Sequence, residues 1–278
     1  GVSYQWHPLV RFNANLSHAQ RAPSANELFA NGQHLATRTY ELGLNYELHE
    51  EGDHAYAIEG ADRTPQLEKS NTLDLGTHIE YGRNHLDISL FVSQIDNFIF
   101  ENVTTINSAD LLQDHDHDHD HDHEHEHDEH AVEDEHDHSE GFPVVHYQQV
   151  DALLFGYEIS GLWQLTDEWK LTAFSDYTRA YTDDTRANLP RIPQQRLGSE
   201  VTYNQGTWEA RVGYIWHAEQ NRVAINETRT PSFGLLNAQF NYFPQAFAAN
   251  NLSLYVKADN LTDKLGFVHM FRTSSTTV

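Results

Sequence analysis

The sequence predicts an all-β protein, an antiparallel transmembrane β-barrel to which this chain contributes about nine strands. Three observations carry that expectation. Segments of ten or more residues alternate apolar and polar side chains with period two. The connections between them alternate between short turns and long loops. Aromatic residues gather at the short-turn ends.

The segments fall near 3–18, 68–81, 84–101, 144–165, 168–181, 193–205, 207–219, 233–243 and 250–262. In the second, Leu73, Leu75, Thr77, Ile79 and Tyr81 alternate with Asp74, Gly76, His78 and Glu80. After Gly82-Arg83-Asn84, the third sets Leu86, Ile88, Leu90 and Val92 against Asp87, Ser89, Phe91 and Ser93. The fourth places Leu153, Phe155, Tyr157, Ile159 and Trp163 on one face, with Glu158, Ser160 and Gln164 on the other. Trp208, Ala210, Val212, Tyr214 and Trp216 oppose Glu209, Arg211 and His217; Leu252, Leu254, Val256 and Ala258 oppose Ser253, Tyr255, Lys257 and Asp259. One face of each segment carries almost no charge, as lipid requires.

Short connections are expected at 82–83, 166–167, 206 and 244–249, and long ones at 19–67, 102–143, 182–192 and 220–232. That asymmetry is characteristic of outer-membrane barrels, whose turns are short on the periplasmic side. Tyr81, Trp163, Trp169, Tyr203, Trp208 and Tyr242 lie at the short-turn ends, as in an interfacial girdle. A soluble sandwich or propeller also alternates, but soluble strands average about five or six residues. An open strip of strands leaves unpaired edges that lipid does not tolerate. The chain is therefore expected to be a piece of a larger barrel, with further wall supplied by other sequence, and the whole barrel to act as a monomer.

Composition narrows the partners. The formal charge of -25 is concentrated between Asp114 and Glu140, a stretch with 14 acidic residues, 10 histidines and no basic residue. Without it the net charge is -11, so no basic footprint for nucleic acid exists. There are no cysteines, which excludes disulfides and thiolate metal sites. No apolar run is long enough for a transmembrane helix, and the sequence opens directly into strand-like residues without a signal peptide. No GxSxG elbow, P-loop or HExxH motif is present, so the chain is read as a non-enzyme without an organic cofactor.

Residues 114–130 read DHDHDHDHDHEHEHDEH. Imidazole and carboxylate are ligands for divalent zinc, and copper or nickel binds nitrogen-oxygen donors at least as tightly. In extended chain, alternate histidines point the same way about 6.5–7 Å apart, too far to share one ion without bending. The expected behaviour is a loose, exchangeable collector of several ions, with carboxylates concentrating cations by their field. The candidate ligands are His115, His117, His119, His121, His123, His125, His127, His130, His136 and His138, with Asp116, Asp118, Asp120, Asp122, Glu124 and Glu126. A merely solvated acidic loop is the plainer alternative, but alternating histidine adds nothing to solubility that aspartate lacks.

Several stretches resemble the C-terminal part of TonB-dependent outer-membrane receptors. They are Arg21-Ala-Pro-Ser-Ala-Asn-Glu-Leu28, Leu67-Glu-Lys-Ser-Asn-Thr-Leu-Asp-Leu-Gly76, Asn188-Leu-Pro-Arg-Ile-Pro193 and Asp259-Asn-Leu-Thr-Asp-Lys264. With the acidic histidine loop and Asn31-Gly-Gln-His34, the chain is most similar to zinc-regulated members. The resemblance implies a 22-stranded barrel closed by an N-terminal plug and energised through the TonB complex, with residues 1–278 supplying strands 13 to 21. It also implies that 102–143 is an extracellular metal-binding loop and that the cargo is zinc. Against that pattern, the plug, the TonB box, the first half of the barrel and the final strand are not in this sequence, and residues 45–66 depart from the family pattern. His34, near Glu27 and Glu41, is a candidate inner ligand; His7, His78, His146, His217 and His269 read better as lumen or surface histidines. The rivals are a haem or siderophore receptor that binds metal incidentally, and a soluble periplasmic metal buffer.

Overall fold

The computed structural model describes residues 1–52, 55–112, 141–225, 227–244 and 252–269. Its strands are β1 (Val2–His7), β2 (Val10–Arg21), β3 (Asn31–His34), β4 (Thr39–Leu42), β5 (Tyr46–Gly52), β6 (Ala55–Gly60), β7 (Glu68–Tyr81), β8 (Asn84–Asn107), β9 (Pro143–Gln164), β10 (Trp169–Thr182), β11 (Arg196–Asn204), β12 (Trp208–His217), β13 (Phe233–Tyr242) and β14 (Leu254–Ala258). One short helix, α1 (Ala25–Phe29), and a 3₁₀ turn at Ser108–Asp110 complete the regular structure.

The chain divides into two compact units. The first comprises Gly1–Arg21, Leu67–Phe98 and Val150–Val278; the second comprises Ala22–Gln66 and Ile99–Gln149. Hydrogen-bonded neighbours follow the order β1-β2-β7-β8-β9-β10-β11-β12-β13-β14, a meander interrupted only where the chain leaves β2 and returns at β7.

In the first unit the alternation expected from the sequence sets the two faces. Leu16, Leu75, Leu90, Val212 and Val256 lie on exposed apolar positions, and Leu16 is 76% exposed. Such exposure suits a face whose solvent is hydrocarbon rather than water. On the opposite face Arg196 pairs with Asp176 at 2.8 Å and His78 with Asp87 at 2.6 Å. At the short-turn ends Trp169, Tyr203, Trp208 and Phe240 form a continuous row, with successive ring centroids 4.7, 5.0 and 5.7 Å apart. Three of the six expected girdle residues, Trp169, Tyr203 and Trp208, therefore form a row of touching rings across β10–β13, extended by Phe240.

The first expected strand needs correction. Residues 3–18 are not one strand but the hairpin β1–β2, turning at Pro8 and Leu9. Pro8 has no N–H for the ladder and a fixed φ. The His7 Nδ1 accepts the Leu9 N–H at 3.2 Å, and Gln5 Nε2 donates to His7 O at 2.7 Å, which stabilises the reversal. The turn at Gly82 follows expectation: Tyr81 pairs with Asn84, and Gly82 has φ +62°, as the first central residue of a tight hairpin of primed type requires.

The second unit gives structure to what the sequence read as a long loop. Strands β3 and β4 pair antiparallel, and β4 joins β9 in parallel through Tyr40–Val144, Glu41–Val145 and Leu42–His146. The unusual stretch 45–66 forms the separate hairpin β5–β6. Leu42, Leu111 and Val144 make a small core, covered by Tyr40, Tyr46, Leu48, Tyr56, Ile58 and Ile106.

Candidate metal centre

The acidic histidine repeat, His115 to His138 with Asp116 to Glu126, lies outside the described residues. Its stem does not. The Ser108 N–H donates to Phe142 O at 2.8 Å, and the Phe142 N–H returns to Ser108 Oγ at 2.8 Å. Asn107 Nδ2 donates to Gly141 O at 3.1 Å, while its Oδ1 accepts the Ala109 N–H at 2.9 Å and caps the 3₁₀ turn. The Leu112 N–H donates to Tyr56 O at 2.8 Å, anchoring the stem to the β5–β6 hairpin. Asn107–Ser108 and Gly141–Phe142, which flank the repeat, are thus drawn together by hydrogen bonds within the second unit.

His34 is the one sequence-predicted ligand the structure describes. It ends β3, and the β3–β4 pairing brings its Nδ1 to 3.7 Å from Glu41 Oε1 and 2.7 Å from Thr37 Oγ1. Its side chain is half exposed, whereas Glu41 is buried. Glu27 is drawn into α1 instead, where its carboxylate accepts the Ser24 N–H at 2.7 Å in a capping box.

Behind Glu41 runs a chain of polar groups that sequence reasoning did not single out. Asn26 Nδ2 reaches Glu41 Oε2 at 3.4 Å and the Tyr147 hydroxyl oxygen at 3.1 Å; that hydroxyl donates to Glu101 Oε1 at 3.1 Å. Tyr147 is buried, and burial followed by the adjacent Glu101 carboxylate pushes its hydroxyl well above its ordinary value of 10.0. It remains a proton donor at any physiological pH. Asn26 and Tyr147 are 121 residues apart, so no local motif could have joined them.

The remaining histidines play other roles. Burial holds His146 below its ordinary 6.5, against opposing pulls from the Tyr46 and Gly43 backbone and from Glu47, and its Nε2 is buried without a hydrogen-bond partner among the described residues. His217 stacks on Phe233 with centroids 4.3 Å apart. His269 is buried, with Nδ1 2.7 Å from Thr230 Oγ1 and Nε2 3.3 Å from Glu227 Oε2. Glu227 also accepts the N–H groups of Arg191 at 2.8 Å and Ala224 at 3.0 Å, gathering three loop segments of the first unit. Among the described residues no three His, Asp or Glu side chains are arranged to hold a metal ion. His34 and Glu41 form a pair of donors, not a complete site.

The family model for the β-barrel of TonB-dependent receptor-like proteins matches residues 1–261. This chain belongs to that family. Solved members share its fold: the copper transporter OprC at TM-score 0.69 and 20% identity, over 96% of this chain and 34% of that one. A ferric enterobactin receptor of Pseudomonas aeruginosa matches at TM-score 0.61 and 16% identity, over 94% of this chain and 34% of the receptor. The FrpB iron transporter of Neisseria meningitidis matches at TM-score 0.58 and 12% identity, over 98% and 36%. The chain therefore spans about a third of the length of these receptors. Family membership makes it a segment of an outer-membrane TonB-dependent receptor barrel, with its apolar sheet face toward lipid.

Proposed function

We propose that the receptor to which this chain belongs captures a divalent transition metal, zinc foremost, through residues 114–140, and imports it using the TonB complex. The observation that carries the reading is the repeat itself: 10 histidines and 14 carboxylates held between Leu112 and Gly141. Zinc takes imidazole nitrogen and carboxylate oxygen in four-coordinate geometry, and so dense a set of equivalent donors favours several exchangeable ions over one rigid site. Low affinity per site lets an ion pass inward. His34 and Glu41 supply two fixed donors to which an ion could pass, with the remaining positions filled from outside the described residues. The printed cargoes of the solved neighbours, copper and ferric enterobactin, are themselves metal or metal chelate. Copper and nickel compete for the same donors, so specificity rests on measurement.

The test is zinc calorimetry on the full-length receptor and on a variant lacking 114–140. Several zinc ions per chain are expected in the first and markedly fewer in the second. Equal stoichiometry would remove the basis of the proposal. Competition with copper, nickel and haem in the same cell then ranks the cargo. Binding weakens as pH falls through the histidine range near 6.5, because imidazolium cannot ligate.

A further inference from the structure

A second feature concerns the opposite charge. The chain has 17 basic and 42 acidic residues. Arg21, Arg196 and Arg211 on the strands and Arg83 in the β7–β8 turn each pair with a carboxylate, at 3.0, 2.8, 2.6 and 2.6 Å. Arg179, Arg186 and Arg222 have no ion pair among the described residues. They meet tyrosines instead. Arg222 Nη1 donates to the Tyr177 hydroxyl at 2.6 Å, and Arg186 Nη1 to the Tyr181 hydroxyl at 2.5 Å. The Arg179 and Arg186 guanidinium carbons lie 5.4 and 4.7 Å from the Tyr181 ring centroid, and the Arg179 Nε is buried with no hydrogen-bond partner among the described residues.

Their place in the sheet defines what they meet. Along β10 the residues Leu171, Ala173, Ser175, Tyr177 and Arg179 share a face, and the register pairs Leu171 with Trp163 and Val201, Tyr177 with Tyr157, and Arg179 with Phe155. That is the apolar, lipid-directed face, and Arg179 stands at its long-loop end. Arg179 and Arg222 line a cleft of about 200 Å³ with Tyr177, Asn188, Gln195 and Gln220. Glu219 is the one acid on its lining, and it forms no ion pair among the described residues. The Tyr157 hydroxyl accepts from Gln195 Nε2 at 2.7 Å, so amphipathic rings border the cleft below the arginines.

We infer that the rim formed by Arg179, Arg222 and Arg186 binds the phosphate groups of lipid in the outer leaflet. Guanidinium presents a planar fork of N–H donors that matches phosphate oxygens, and such charge-assisted pairs are stronger than neutral ones. The tyrosine hydroxyls and rings hold Arg222 and Arg186 in place before a lipid arrives, and Arg179 keeps a buried donor that protein does not satisfy. A tyrosine belt with cations just beyond it is the arrangement expected where the hydrocarbon gives way to head groups. The anion is committed to lipid because the apolar strand face continues directly beneath the cations and accommodates acyl chains.

The full-length receptor in neutral detergent is titrated with lipid A, with its dephosphorylated form and with inorganic phosphate, and bound species are counted by native mass spectrometry. Retention of lipid A above the dephosphorylated form is expected, falling by about tenfold or more in an Arg179→Gln, Arg222→Gln double variant. Arg179→Lys with Arg222→Lys restores part of it, which separates loss of charge from loss of fold; persistence of the heat-resistant folded band on a gel is the second control. Equal retention of both lipid forms by the wild type, or an unchanged affinity in the double variant, overturns the inference. So does inorganic phosphate binding as tightly as lipid A, since the site would then serve a soluble anion. Metal stoichiometry is unaffected in these variants, so this result and the zinc result fail separately.

Discussion

Replacing Tyr147 by Phe removes one oxygen and leaves the ring. The burial of the ring is kept, so the change isolates the two hydrogen bonds of the hydroxyl, to Glu101 at 3.1 Å and from Asn26 at 3.1 Å. A hydrogen bond to a charged acceptor contributes about 1.5–3 kcal/mol, and the Asn26 bond adds less because its amide keeps the Glu41 carboxylate at 3.4 Å. Local opening of the second unit should therefore become easier by about 1.5–3 kcal/mol, or roughly 10- to 150-fold in rate of exchange where the opening equilibrium governs it. Hydrogen exchange on the full-length receptor reads this directly. The informative amides are Gly43, bonded to Ala30 O at 2.7 Å, and Leu44, bonded to Glu27 O at 2.7 Å. Because the hydroxyl is pushed upward from 10.0, the wild-type protection should stay flat into alkaline pH. Exchange in the variant at the wild-type rate would show that the buried chain from Glu41 to Glu101 does not hold this unit together.

Other perturbations follow from the same geometry. Gly43→Ala places a Cβ 2.5 Å from Leu28 backbone carbon and oxygen, which cannot yield as a side chain would; a loss of about 1–3 kcal/mol and faster proteolysis of residues 22–66 are expected. His146 is held below 6.5 by burial, so its neutral form stabilises the fold fully above that value and the contribution is lost as pH falls toward the depressed native value. Protection factors in the second unit, taken relative to intrinsic exchange at each pH, should fall below pH 6.5 in the wild type and less in His146→Gln. Glu227→Ala leaves the Arg191 and Ala224 N–H groups without their acceptor, at about 1–3 kcal/mol, read as faster exchange at those two amides.

The parts legible in sequence were those carried by periodicity and composition. Alternation over ten or more residues identified the long strands and their lipid face, because a barrel wall repeats one physical demand along its length. The repeat was equally plain as sequence, but it lies outside the described residues, and its metal chemistry stays a proposal. The turn at Pro8 escaped because alternation continues across it, with Tyr4, Trp6, Val10 and Phe12 all apolar; only the missing N–H marks the break. The helix and four strands of the second unit escaped for a different reason. Their pairing joins β4 to β9 across 104 residues, from Tyr40 to Val144, and parallel contacts of that range leave no local signature. His34 and Glu41 were close enough in sequence to be suspected together. Tyr147 and Glu101 became visible only once the chain was folded.

The stem at Asn107–Ser108 and Gly141–Phe142 has a consequence for how such a receptor can change over generations. Its hydrogen bonds join Ser108 to Phe142 and Asn107 to Gly141, so they use no residue of the repeat. Closing a longer insert costs little, about 0.6 kcal/mol for each doubling of a flexible segment. Ligand number can then drift by whole Asp-His units while the wall in the membrane stays the same. The proposed capacity for metal then becomes a setting that selection can adjust without rebuilding the barrel.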